Sequence, residues 1–195
     1  VQTMTRVDRE GDGLERKEGS VNMAEKPYTL QPGEKATPVM IGTSDTLIWG
    51  DLVTKEQVQI SAFLNTLAED FVPVHAAKVI FLTPRQQMAP IERVVAYVKL
   101  EEILLFFSMA GGETIPEETE VRRYVPIDIV VGSFQIEAQM LKSPIATMQN
   151  LLLVSKDAYM LFYNATLRHV ANPWLGTFGS DAMQIRRDRF TLLTR

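Results

Sequence analysis

The chain has 195 residues, of which 46% are hydrophobic and 23% charged, and it carries a net charge of −4. This composition provides a core for one domain or two small ones. The acidic balance argues against nucleic acid as the main partner, because phosphate binding depends on clustered Lys and Arg. The absence of cysteine excludes disulfides, thiolate catalysis and cysteine-built zinc sites. No run of 18 apolar residues occurs, so we expect no transmembrane segment and a cytoplasmic location.

The first 30 residues are rich in charge and lack apolar periodicity, which is typical of disorder, so residues 1–30 are predicted to form a disordered tail. Within it, Lys17-Glu18-Gly19 can be encoded as a ribosome-binding sequence, and Met23 follows shortly after. We therefore expect translation to start at Met23 and residues 1–22 to be a mis-assigned leader. The intact mass of the natively expressed protein tests this expectation.

Two strands and a turn are predicted where the first ordered segment begins. The runs Pro38–Thr43 and Thr46–Val53 are rich in strand-forming residues and flank Ser44-Asp45, a turn dipeptide. A short helix follows from about residue 59 to residue 68, with its apolar residues at helical spacing. Pro73 cannot lie inside that helix, so the β-branched segment from Phe71 to Leu82 is predicted to be a separate strand.

The second part of the chain resembles the first. Four segments recur in the same order at offsets of about 85–88 residues, which favours an internal duplication. In the second copy Ser143-Pro144 predicts a helix start, with Ser as the cap and Pro at the first helical position. Asn65 and Asn150 then correspond as helix-end residues that cap the local backbone.

Each copy therefore contains four or five strands and one short helix, a content typical of small SH3-like or Sm-like barrels. We predict a mainly β chain of two small tandem barrels. The first covers residues 31–110 and the second residues 123–195. They are joined by the Gly-rich and then acidic linker 111–122.

No motif of a known catalytic class is present, and neither histidine has a designated carboxylate partner. His75 is predicted to be a surface or half-buried strand residue, and His169 to face solvent at a strand end. The adjacent Glu101 and Glu102 point to opposite faces of a strand, so they do not converge as a catalytic pair. We therefore expect a protein that is not an enzyme, with no metal and no cofactor.

Two groups of residues are candidates for contact with a partner or ligand. Trp174 and Phe178 lie in a Gly-containing loop, where they either anchor a partner or fold back to plug the barrel end. The basic residues fall into two runs that are candidates for contact with an anionic ligand, Arg122 and Arg123 in the first and Arg186, Arg187 and Arg189 in the second. The residues of the second run are alternatively solvated or paired with Glu101 and Glu102.

The segment "QISAFLN…FVPV" resembles a pattern in small bacterial β-barrel domains of unknown function, R-L-S-D-x-L-N followed by F-L-P-L. The matching residues are Ser61, Leu64, Asn65, Phe71 and Pro73. Gln59 and Ala62 stand where that pattern has Arg and Asp. The resemblance covers about residues 38–107 and implies a small barrel, with no activity or cofactor attached to it.

The leading hypothesis is a non-catalytic module of two small barrels that binds another protein or a second copy of itself. The alternative is a sensor barrel whose arginines bind a small anionic ligand such as a nucleotide.

Overall fold

The computed structural model describes residues 28–82, 89–111 and 114–194. The predicted leader, and the predicted tail as far as residue 27, lie outside the described residues. The strands are β1 (Glu34–Gly42), β2 (Thr46–Lys55), β3 (Phe71–Phe81), β4 (Ile91–Lys99), β5 (Leu105–Ser108), β6 (Arg123–Val131), β7 (Phe134–Lys142), β8 (Tyr159–His169), β9 (Thr177–Arg186) and β10 (Phe190–Thr194). Two short helices, α1 (Phe63–Thr66) and α2 (Met148–Val154), and four 3₁₀ turns (Ile60–Ala62, Leu100–Glu102, Pro173–Leu175 and Arg187–Arg189) complete the described elements.

The ten strands form one antiparallel sheet in the order β10-β6-β7-β8-β9-β5-β1-β2-β3-β4. The mainly β fold predicted from the sequence is thus confirmed. The sheet is continuous, since β5 pairs with β9, so the strands do not divide into two closed barrels. We call β1–β5 the first half, β6–β10 the second half, and the β5–β9 pairing the seam.

The two halves have the same strand order. The fifth strand of each half pairs with the first strand, which begins a run of four neighbouring strands: β5-β1-β2-β3-β4 and β10-β6-β7-β8-β9. Both third strands contain an irregularity where a residue takes a positive φ, 48° at Ala76 and 47° at Asn164. These two residues lie 88 positions apart, within the offsets that the sequence comparison indicated.

The local elements of the first half match the sequence prediction closely. Ser44-Asp45 forms the turn, in which the main-chain N–H of Thr46 donates to Thr43 Oγ1 at 3.0 Å. The 3₁₀ turn Ile60–Ala62 and α1 occupy the predicted helical segment, and β3 contains Pro73 as expected.

The predicted start of the second helix is wrong. α2 begins at Met148, and Thr147 is its N-cap, because Thr147 Oγ1 accepts the main-chain N–H of Asn150 at 3.2 Å. Ser143 instead opens a turn, in which its carbonyl oxygen accepts the N–H of Ala146. Both Ser-Pro and Thr-Met are acceptable starts by residue type, and the hydrogen bond of the Thr147 side chain selects the second.

The core consists of two apolar clusters, one on each face of β1 and β5. One cluster contains Val39, Ile41 and Phe106, together with side chains of β2, β3 and α1. The other contains Met40 and Leu105, together with side chains from β6, β7, β8 and β9. Phe190 and Leu192 of β10 pack at the margin of this second cluster. β5 and the last four residues of β1 are therefore buried on both faces, which explains the uninterrupted apolar run before Ser108. No helix in the described part of the chain is long and apolar enough to span a membrane.

Candidate functional site

The seam is the strand pairing that joins the two halves of the described sheet. Leu105 is opposite Ile185, Phe106 opposite Gln184 and Phe107 opposite Met183. Beyond this register, the N–H of Arg186 donates to the carbonyl oxygen of Leu104 at 2.9 Å. All six paired residues are at most 2% exposed, so the seam excludes water on both faces.

Asn65 at the end of α1 joins the first half to the second. Its Nδ2 donates to the carbonyl oxygen of Tyr159 at 2.8 Å, and its Oδ1 accepts the N–H of the same residue at 3.0 Å. The predicted capping role of Asn65 is therefore wrong, because both polar atoms of the side chain bind the main chain of β8. An amide side chain can do this because it carries one donor group and one acceptor with peptide-like geometry.

Tyr159 itself extends back into the first half. Its side chain is 2% exposed and packs in the Phe106 cluster, and its hydroxyl donates to the carbonyl oxygen of Leu100 at 2.6 Å. Burial raises the pKa of this hydroxyl above its usual range.

Gln184 contributes a polar contact in the centre of the seam. Its Oε1 accepts the main-chain N–H of Leu64 at 3.3 Å, so α1 covers this face of β9. Beside it, Arg186 donates to Asp188 Oδ1 at 2.8 Å and also to the carbonyl oxygen of Glu101. Hydrogen bonding to Asp188 raises the pKa of the Arg186 guanidinium and lowers that of the Asp188 carboxyl.

The two ends of the sheet differ from the seam, because β4 and β10 pair on one side only among the described strands. On β4, Val94 is 66% exposed and Tyr97 is 69% exposed. On β10, Leu193 is 49% exposed. Sheet edges with exposed apolar side chains are sites at which another strand can pair.

The two helices also differ in burial. α1 buries Phe63 and Leu64 between the halves. α2 has no fully buried residue, and its Leu153 and Val154 are 73% and 76% exposed. The apolar side chains of α1 are therefore buried inside the protein, whereas α2 leaves Leu153 and Val154 on the surface.

The five candidate arginines do not form one cluster. Arg122 and Arg123 are exposed at the start of β6, whereas the other three lie around the turn between β9 and β10. Arg186 binds Asp188 and Glu101 as described, and Arg187 donates to the carbonyl oxygens of Leu152 and Ser155. Arg189 is exposed and lies 3.8 Å from Asp188 Oδ2. Among the described contacts, Arg186 therefore binds Glu101 only at the main-chain carbonyl, whereas the Glu101 carboxylate pairs with Lys99.

Trp174 and Phe178 lie on one apolar groove. Both are half-buried, and the groove is also lined by Leu47, Trp49, Ile80, Ala89, Pro90 and Leu175. Phe178 packs against the Met40 cluster. The indole N–H of Trp174 donates to Asn172 Oδ1 at 3.3 Å.

The histidines lie apart and differ in burial. His75 is half-buried, as predicted, with its ring 5.0 Å from that of Tyr28. His169 is 4% exposed, so the prediction that it faces solvent is wrong. Its ring packs edge-on against Phe134, its Nδ1 accepts the N–H of Asn172 at 3.0 Å, and burial lowers its pKa. The described residues contain no group of three or more His, Cys, Asp or Glu side chains placed to hold a metal ion.

Tyr159 and Gln184 were not identified from the sequence, although one signal was present. Gln184 is a polar residue within an otherwise apolar strand segment, Ala182 to Ile185. A polar residue in such a position usually has a specific hydrogen-bond partner. The partner, the main chain of Leu64, lies 120 residues away and has no marker in the sequence.

The resemblance to small bacterial barrel domains finds no support from known proteins. No family model matches the chain, and no curated protein or solved structure matches it either. The resemblance therefore stays a prediction, and any functional conclusion depends on the seam and on the outer edges of the sheet.

Proposed function

We propose that the chain is a non-catalytic assembly module that binds a protein partner by adding strands to its sheet. The observation that carries this proposal is the pair of outer strands, β4 and β10, which are free on one side among the described residues and expose Tyr97 and Leu193. In strand addition, main-chain hydrogen bonds supply affinity, and neighbouring pockets supply specificity.

The end of the sheet at β4 has such a pocket. Phe71, Pro73 and Tyr97 line a cavity of about 600 Å³ together with Ala68, Glu69 and Asp70. Phe71 is 46% exposed, although it lies at the start of a strand whose next residue is fully buried. An apolar pocket beside an unpaired strand is suited to an incoming strand or helix with apolar side chains.

We further propose that the two halves are copies of one SH3-like or Sm-like unit that arose by duplication. The equal strand order and the equal placement of the Ala76 and Asn164 irregularities support this. On this proposal the seam is an interface between two units that became joined in one chain.

The alternative role, an anion sensor, receives less support from the contacts. Arg186 and Arg187 already donate to main-chain carbonyl groups, and Arg186 also to Asp188, so their donors are engaged within the protein. A thermal-shift panel of nucleotides tests this role directly. A rise of several degrees with one nucleotide would favour the sensor over the assembly module.

The assembly role is tested by affinity capture with the full chain as bait. We expect a partner that the wild type retains and that a double variant with both edges blocked, Tyr97→Pro with Leu193→Pro, loses. The purified partner should reproduce this difference. Val170→Lys is the matched control, because Val170 is exposed and lies in neither β4 nor β10, and it should retain the partner. Equal capture by the wild type and the double variant would contradict the proposed role of the edges.

A further inference from the structure

We propose that copies of this chain join head to tail, with the outer edge of β10 in one copy pairing antiparallel with the outer edge of β4 in the next. This inference rests on the proposed assembly function and names the partner, which is a second copy of the chain. The seam inside each chain supplies the pattern for the joint between chains.

The strands at the two ends correspond to the strands of the seam. β10 holds the position in the second half that β5 holds in the first, since each is the fifth strand and pairs with the first strand of its half. β4 and β9 correspond in the same way as fourth strands. The seam joins the fifth strand of one half to the fourth strand of the other. A β10–β4 joint repeats that arrangement with the two strands whose outer sides pair with no other described strand.

The correspondence also specifies the register of the joint. Gly42 pairs with Leu105 as Ile129 pairs with Leu192, and Phe71 pairs with Lys99 as Tyr159 pairs with Arg186. Both fourth and fifth strands are therefore related by an offset of about 87 residues. Applied to the seam register, this offset places Leu192 opposite Val98 and Leu193 opposite Tyr97 of the next copy.

The main chain of Tyr97 is oriented for this pairing. On its inner side Tyr97 is opposite Pro73, which has no N–H to donate. The N–H of Leu100 donates to the carbonyl oxygen of Asp70, and bonded pairs alternate along an antiparallel ladder. Tyr97 therefore falls at a position whose N–H and C=O point away from β3, towards the free edge.

The exposed apolar side chains at the β4 end correspond in position to side chains that are covered in the seam. In the seam, α1 covers Gln184 and Tyr159. The residues at the corresponding places on the β4 end are Tyr97 and Phe71, which are exposed.

α2 supplies the cover for these two residues. It is the helix of the second half, and it exposes Leu153 and Val154. In the joint, α2 of one copy lies over Phe71 and Tyr97 of the next. Asn150, which corresponds to Asn65, is placed to bind the main chain of Phe71 as Asn65 binds that of Tyr159. The joint buries apolar surface at both ends, and such burial is the main source of association free energy.

Two edge-blocked variants test the direction of assembly. Tyr97→Pro removes the outward N–H of β4 and costs no ladder bond to β3, because the alternation of bonded pairs points this N–H away from β3. Leu193→Pro blocks β10 at the position that the register pairs with Tyr97. By light scattering after size exclusion, we expect the wild type to have at least twice the mass of one chain and each variant to be a monomer. An equimolar mixture of the two variants should form a dimer and no larger species, since one intact β10 meets one intact β4.

Controls separate loss of the edge from loss of the fold. Each variant must keep the wild-type circular dichroism and a cooperative melt. A proline variant that does not is replaced by the lysine variant at the same position, Tyr97→Lys or Leu193→Lys. Asn150→Ala should weaken association without lowering the melting temperature of the dissociated chain. Val170→Lys, at an exposed apolar residue away from both edges, should leave the mass unchanged.

The register is tested by cross-linking, since the chain has no cysteine of its own. Tyr97→Cys and Leu193→Cys, each as a single variant, should cross-link with a short bis-maleimide only when the two are mixed. Cross-links within one variant alone would indicate a symmetric β4–β4 or β10–β10 contact and overturn the head-to-tail joint.

A wild type that is monomeric at every concentration would also overturn the inference. If such a monomer still captured a partner that the edge variants lose, the assembly function would stand and only the identity of the partner would be wrong. If it captured nothing, both proposals would fail.

Discussion

At the scale of single residues, His169 shows how burial changes the role of a side chain. Its Nδ1 accepts the N–H of Asn172, so the neutral ring carries its proton on Nε2. Protonation of Nδ1 removes that acceptor, which agrees with the lowered pKa. A histidine at a strand end is usually accessible, but the loop after β8 folds over this one.

This burial predicts a dependence of stability on pH. A folded-state pKa below the unfolded value of about 6.5 means that the folded state binds fewer protons. The contribution of neutral His169 to stability is complete above that pH and decreases as the pH falls below it. His169→Asn keeps an acceptor for Asn172 and does not titrate, so its unfolding free energy should fall less than that of the wild type between about pH 7 and pH 5. Equal slopes in urea unfolding series would contradict this explanation.

At the scale of the elements, the irregularity in each third strand is the feature with a measurable cost. Ala76 takes φ 48°, a left-handed conformation that is unfavourable for residues other than Gly and Asn. The corresponding residue in β8 is Asn164, whose side chain suits that conformation and donates to Gln139 Oε1 at 2.7 Å.

Ala76→Gly should therefore stabilise the protein by about 1 kcal/mol, because glycine adopts positive φ without steric cost. The neighbouring Ala77→Gly is the matched control, since Ala77 is buried and has no positive φ. This control should lose about 0.5–1 kcal/mol. Chemical denaturation measures both, and a loss in both variants would contradict the assignment of strain to Ala76.

The elements also show what the sequence could predict. The turn at Ser44-Asp45 and the strand at Pro73 could be predicted from local residues, because Asp forms hydrogen bonds with the nearby backbone in turns and Pro cannot lie inside a helix. The predicted start of α2 is wrong because Ser143 and Thr147 are equivalent as caps by residue type. Only the hydrogen bond of the Thr147 side chain selects between them. The seam depends on which strand edges meet. The paired residues of β5 and β9 lie up to 80 positions apart, and no residue type encodes a pairing over such a separation.

At the scale of the whole molecule, the halves share a core. Met40 and Leu105 from the first half belong to the same cluster as Ile129 and Phe162 from the second. Tyr159 from the second half belongs to the cluster of the first. The sequence predicted two barrels in tandem, and this exchange of side chains across the seam is the reason that the strands form one sheet.

We therefore expect the fragments 1–111 and 112–195 to depend on each other. Expressed alone, each should lack a cooperative thermal transition, because the seam strands and Tyr159 lose their cover. Co-expressed, with a tag on one fragment, the two should purify together. A fragment that melts cooperatively by itself, with a well-dispersed NMR spectrum, would show that the halves are independent.

The seam has a further consequence that follows from its covalent connection. The segment between β5 and β6 keeps the two halves at an effective concentration on the order of millimolar, whatever the amount of protein in solution. A joint between separate chains has the same strands and register but depends on the actual protein concentration. Dilution would therefore separate such an assembly only at its β10–β4 joints, and every species released would contain complete pairs of halves.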